Sequence, residues 1–173
     1  SIVKRKKLNY FILYDEKNRL HKKAAEALQK GIEHFKVSGQ RRIRRVFLDS
    51  AEVSVDQNAN RQIVDALGDS GYLIIIGNDT EGETIWNAGE VQYFLKTHDS
   101  SRILPVVVEQ KDESDDQKIV KFKGRERYLS YAAAVYGQTE AEILKKIRKD
   151  AVLRIVAPIL GVPYDGLVQR YRT

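Results

Sequence analysis

Carboxylates carry the chemistry that this sequence leaves open. The chain has no cysteine, which excludes disulfides, thiolate nucleophiles and Cys-ligated zinc. Its three histidines, His21, His34 and His98, share no metal-ligand spacing, and their places on predicted helices or a helix end assign them structural or surface roles. No G-x-S-x-G elbow partners a hydroxyl nucleophile. Neither a G-x-G-x-x-G nor a Walker A sequence is present, which argues against ordinary Rossmann or P-loop nucleotide binding. What remains centres on Trp86 and Glu90, four apart after a glycine-bearing loop, Asn78 to Thr84. On a helix that spacing puts both on one face. A tryptophan beside a carboxylate suits a ligand with an aromatic ring and a ribose. A glutamate in a first helical turn equally serves the helix dipole or faces water, so spacing alone leaves both roles open.

These residues need elements to position them. Asn9 to Tyr14 is a short aromatic and β-branched run that stops at Asp15 and predicts a buried strand. From about Arg19 to Phe35 the apolar residues recur at helical spacing, as Leu20, Ala24, Ala27, Leu28, Gly31, Ile32 and Phe35. Ile43 to Leu48 predicts a second strand finishing at Asp49, followed by a polar loop from Ser50 to Asn58 and a helix from about Asn60 to Leu67. Tyr72 to Ile76 is almost wholly apolar, the mark of a strand buried on both faces of a parallel sheet. A helix over about Ile85 to Lys96 carries Trp86 and Glu90, and a fourth strand covers Arg102 to Val108. Lys111 to Gln117 is a charged loop, and Tyr128 to Val135 holds either a fifth short strand or an irregular segment. A long helix is expected over Glu140 to Ile159, kinked or stopped by Pro158, with a short last helix over Tyr164 to Tyr171.

Strand–helix alternation with short loops predicts an α/β fold: an open, mainly parallel, flavodoxin-like sheet of four or five strands with helices on both faces. Ligands of such sheets bind outside the carboxyl ends of the strands, which directs attention to Tyr14–Asp15, to Asp49 through Asn58, and to Gly77 through Trp86.

At 173 residues, 42% hydrophobic and 31% charged, the chain reads as a single globular domain, 1–173, with 138–173 as a helical C-terminal part. Its longest apolar runs are too short to span a bilayer, and the basic start has no apolar segment fit for a signal peptide. With cysteine absent, the expectation is a cytoplasmic chain with no membrane association. Methionine is absent too, so a piece trimmed or excised from a longer chain is expected. The net charge of +6 gathers at Lys4–Lys7 and at Arg41, Arg42, Arg44 and Arg45. No aromatic residues interleave with these runs as a base-stacking surface would require, so solvated strand flanks are expected rather than a nucleic-acid site, with dinucleotide phosphates or an acidic partner surface as further uses.

Several segments, in order, resemble bacterial Toll/interleukin-1 receptor (TIR) domains. Tyr10-Phe11-Ile12-Leu13-Tyr14 is similar to the family's first strand, usually F-I-S-Y, with Leu13 at the serine position and Asp15 where a basic residue often follows. Val46-Phe47-Leu48-Asp49 with Glu52-Val53-Ser54 resembles the second strand and BB loop, although Ser50 to Asn58 has neither glycine nor proline. Ser70 to Ile76 resembles the third strand, Trp86-Asn87-Ala88-Gly89-Glu90 the W-x-x-x-E motif, and Arg102-Ile103-Leu104-Pro105-Val106 the I-L-P-V fourth strand. The tail from Leu153 to Arg170 resembles the end of one bacterial group, so the likeness covers nearly the whole chain.

The resemblance implies a TIR fold and two kinds of activity. Some members cleave the nicotinamide–ribose bond of NAD⁺, often in antiphage defence, with the motif's glutamate as catalytic residue; others are signalling adaptors. On this chain the enzyme reading makes Glu90 catalytic, with Tyr14, Asp15, Asp49 and Trp86 lining the pocket. NAD⁺ is then a substrate and no cofactor or metal is needed; the products are nicotinamide and ADP-ribose or a cyclised form. Loop capping or core packing competes with ligand contact at Tyr14 and Asp49, and a structural role at Trp86. The resemblance also implies homo-oligomers or association with other TIR domains, and head-to-tail contacts that generate open filaments. The alternatives are a non-catalytic adaptor acting by homotypic association, and an enzyme resembling nucleoside 2-deoxyribosyltransferases.

Overall fold

The computed structural model describes residues 9–35, 45–50, 61–79, 85–113, 119–122 and 127–171; for 45–50, 62, 119–122 and 127–128 it describes the backbone alone. The basic runs at Lys4–Lys7 and Arg41–Arg44 and the loop over 51–58 lie outside the described residues, as does the side chain of Arg45.

Five strands form one parallel sheet. They are β1 (Tyr10–Tyr14), β2 (Arg45–Ser50), β3 (Tyr72–Gly77), β4 (Ile103–Glu109) and, last in sequence, β7 (Ala133–Tyr136). Their spatial order is β2-β1-β3-β4-β7, the open flavodoxin-like arrangement. Both central strands, β1 and β3, are buried at every position. That explains their unbroken apolar sequences, since each face of a central parallel strand meets helices rather than water. Consecutive residues alternate between faces. Tyr10, Ile12, Tyr14, Ile74, Ile76, Val106 and Val108 therefore pack on one side, and Phe11, Leu13, Leu73, Ile75, Ile103 and Val107 on the other.

The first face is covered by α1 (Arg19–Glu33) and by a long helical stretch made of α4 (Glu140–Lys146), a π-type turn (Ile147–Ala151) and α5 (Val152–Leu160). Asn18 caps α1, its side chain accepting the His21 N–H at 3.0 Å. The two layers approach closely: a Cβ at Gly31 would collide with Val152, and Lys23 reaches Glu140 at 2.6 Å. Pro158 lies inside α5 and does not stop it. It sits on the exposed side of the helix, one turn after the exposed Arg154. The helix ends instead at Gly161, whose left-handed backbone (φ 69°) closes the last turn. A short helix, α6 (Tyr164–Tyr171), follows and buries Leu167.

On the second face lie α2 (Arg61–Asp69) and α3 (Gly89–Thr97). The segment between β4 and β7 includes an antiparallel hairpin, β5 (Ile119–Phe122) with β6 (Arg127–Ser130). Tyr128 to Val135 thus holds the end of that hairpin and then the fifth sheet strand. Among the described residues no helix is long and apolar enough to cross a membrane.

The helix expected over Ile85 to Lys96 is not continuous. Ile85–Asn87 forms a 3-10 turn, and α3 begins only at Gly89 after an extended Ala88 that offers no side-chain cap. Trp86 and Glu90 therefore belong to two elements, not to one helical face. Ile85 and Trp86 are held by tertiary packing over β3, and Gly89, a poor helix former, marks the point where the backbone changes course.

Candidate active site

The carboxyl edge of the sheet is where each candidate residue was expected, and the strand ends fix their neighbourhoods. Glu90 stands in the first turn of α3 and is 1% exposed. Trp86, from the preceding turn, is buried in the same apolar cluster as Leu13, Ile75, Ala88 and Val91. Its indole lies on the end of β3: a Cβ at Gly77 would stand 2.6 Å from Trp86 Cζ2 and 2.8 Å from Ile85 Cγ2. Gly77 is thus the residue that lets the indole descend onto the backbone. The hairpin strand β5 runs alongside this 3-10 turn. The result is a carboxylate and the chain's one tryptophan held on the α2/α3 side of the sheet.

The other candidates divide. Tyr14 ends β1 but packs with Tyr10 and Ile12 on the opposite face, beneath α1 and α5. The β1 side chains in the Trp86 cluster are Phe11 and Leu13, of which Leu13 is the nearer to the strand's carboxyl end. Asp15 is exposed and turns the chain into α1: its carboxylate accepts the Lys17 N–H at 2.9 Å and its carbonyl the Asn18 N–H at 3.0 Å. Asp49 lies within β2, opposite Leu13, and the strand continues to Ser50. Of the five candidates, Trp86 and Glu90 come from adjacent elements, the 3-10 turn and α3, on the side of the sheet that Leu13 rather than Tyr14 faces.

A further constellation lies at the same edge. The Asp79 carboxylate, two residues past β3, accepts the Tyr131 hydroxyl at 2.6 Å and the Tyr136 hydroxyl at 2.8 Å. Burial first, then the hydrogen bond to Asp79 and its charge, push both phenols well above the ordinary tyrosine range. Both therefore remain donors through neutral pH. Glu109, paired in register with Tyr136, adds negative charge, while Lys111 meets Glu109 at 2.8 Å and lies 5.7 Å from the Tyr136 ring centre. Asp79 stands in the loop singled out by the sheet-edge rule, but its tyrosine partners are 52 and 57 residues away. Five-residue spacing of two tyrosines gave no warning of a shared carboxylate.

The histidines are tied to backbone. His21 is 2% exposed and donates from Nε2 to the Val108 carbonyl at 2.7 Å. His34 meets the Lys30 carbonyl at 2.7 Å. His98 stacks on Phe94 and meets the Ser70 carbonyl at 2.8 Å. Among the described residues no group of three or more His, Cys, Asp or Glu is placed to hold a metal ion. Compared with protein-family models, with curated proteins and with solved structures, the chain has no match.

Proposed function

We propose that the chain is a TIR-like NAD⁺ glycohydrolase with Glu90 as its catalytic carboxylate. The observation that carries this reading is the burial of Glu90 beside the carboxyl edge of a flavodoxin-like parallel sheet. Buried acids held at a sheet's carboxyl edge are candidates for functional groups. The ordered motif resemblance supplies the substrate.

The reaction asks little of the protein. Water adds at C1′ of the nicotinamide-bearing ribose as the C1′–N bond breaks. The bonding pair leaves on nicotinamide, which departs neutral, and the water proton goes to solvent, leaving ADP-ribose. The transition state is oxocarbenium-like, so a carboxylate that hydrogen-bonds the ribose hydroxyls and faces the developing positive charge lowers the barrier. Glu90 takes that role, and Trp86 packs beside it. Self-association completes the proposal, since family resemblance places such pockets across neighbouring subunits; bacterial defence or signalling is the corresponding setting.

One observation favours the adaptor reading instead. Ala88 leaves the start of α3 without a side-chain cap, and Glu90 in that first turn complements the helix dipole with no chemistry required. Nicotinamide release by concentrated protein, with Glu90→Ala and Glu90→Gln alongside, separates the two. Activity in the wild type and its loss in both variants supports the enzyme; inactivity of all three supports the adaptor.

A further inference from the structure

Two anchors fix the short stretch that follows β3. Trp86 lies on Gly77, and Asp79, two residues later, is held by the Tyr131 and Tyr136 hydroxyls. The second anchor is directional. In the order β2-β1-β3-β4-β7, Tyr136 belongs to a strand on the far side of β4 from β3. At a strand spacing of roughly 4.8 Å, β3 and β7 lie about 10 Å apart. The Tyr136–Asp79 hydrogen bond therefore reaches past the end of β4 and ties the chain leaving β3 toward β7. That direction is away from β1, and the chain reverses its strand order between β1 and β3, where ligands of such sheets bind.

The donors suit the task. Tyr136 is 4% exposed and ends its strand, so the protein core sets the position of its ring. Ala132, between the two tyrosines, donates its N–H to the Pro105 carbonyl at 2.8 Å and ties the approach to β7 onto β4. Both hydroxyls stay protonated and donate to the two oxygens of one carboxylate, Tyr131 to Oδ1 and Tyr136 to Oδ2.

We infer that Asp79, Tyr131 and Tyr136 form a positioning clamp. It holds the chain after β3 toward β7, keeps Gly77 seated under Trp86, and so sets the turn from which α3 presents Glu90. The catalytic part of this inference rests on the glycohydrolase reading; the structural part stands on the hydrogen bonds and the Gly77–Trp86 packing. None of the three side chains needs to touch substrate.

Trp86 is the chain's sole tryptophan, so its fluorescence reports the clamp whether or not the protein is active. Tyr136→Phe, Tyr131→Phe and Asp79→Asn are compared with wild type in the full 173-residue chain. The half-buried Tyr131 is the substitution the fold tolerates best if removing the Tyr136 hydroxyl prevents folding. The expected result is red-shifted Trp86 emission with greater acrylamide quenching in the folded variants. With NAD⁺, kcat and kcat/KM fall together by roughly ten- to hundredfold, the signature of a misplaced group acting in the transition state. Folded variants with wild-type quenching overturn the clamp, and altered quenching with unchanged kcat overturns its part in presenting Glu90. If wild type itself releases no nicotinamide, the glycohydrolase reading fails, and the Trp86 signal alone decides whether the clamp holds the turn.

Discussion

Replacing Gly77 with alanine tests the packing that seats Trp86. An added Cβ would stand 2.6 Å and 2.9 Å from two indole carbons and 2.8 Å from Ile85 Cγ2. All three distances are shorter than a carbon–carbon contact of about 3.5–4.0 Å, so something must move. Neither neighbour has open space, since Trp86 and Ile85 are each 6% exposed. Overpacking of this kind costs about 1–3 kcal/mol, partly offset by the loss of a flexible strand glycine in the unfolded chain, worth about 0.4–1 kcal/mol. For a chain of this size the remainder, centred at about 1.3 kcal/mol, lowers Tm by roughly 3–5 °C. Thermal unfolding followed by circular dichroism measures it, and Trp86→Phe in the same background relieves the clash, so the two substitutions are not additive. A Gly77→Ala protein at or above wild-type Tm, with unchanged Trp86 emission, would refute the close-approach argument.

Two further outcomes are expected. His21→Ala leaves the buried Val108 carbonyl without its donor and costs about 1–3 kcal/mol in urea unfolding; a change within about 0.5 kcal/mol would mean that water replaces the imidazole there. The Tyr131 and Tyr136 phenols titrate higher in the folded protein than in the unfolded chain. Their contribution is therefore complete below about pH 10 and is lost as pH rises and the unfolded tyrosines ionise first. Unfolding measured across that range should fall less steeply in a Tyr131→Phe, Tyr136→Phe double variant than in wild type, and identical slopes would count against this coupling.

The sheet was legible because burial on both faces writes itself into composition. Tyr10–Tyr14 and Tyr72–Ile76 are apolar without interruption, and each is a fully buried central strand. The last helix was legible from Gly161 and Pro163, which break the chain just before it. The β5–β6 hairpin was not, because four-residue strands such as Ile119–Phe122 give too short an alternation to separate from a charged loop. The break before α3 was hidden for a different reason. Ile85 and Trp86 fit a helical apolar pattern, and only the descent of the indole onto Gly77 shows that they belong to a separate turn.

At the candidate site, residue types were readable and faces were not. Tyr14 and Leu13 are adjacent, yet a strand sends them to opposite sides, and only pairing with the helices decides which side Glu90 shares. Asp79 stood in the indicated loop, but a carboxylate clamped by residues more than fifty positions later depends on the path of the whole chain between them. Position at the sheet edge was therefore inferable, and the hydrogen-bonded arrangement there was not.

The most direct measurement is nicotinamide release from NAD⁺ by the concentrated 173-residue chain, with and without a crowding agent that promotes assembly, beside Glu90→Gln. Glutamine keeps the size of the buried side chain and removes its charge, so circular dichroism confirms the fold while the assay reads the carboxylate. The account predicts wild-type cleavage and a loss of about 10²–10³-fold in the variant. Equal rates in the two proteins, or no release by the wild type once assembled, would contradict it.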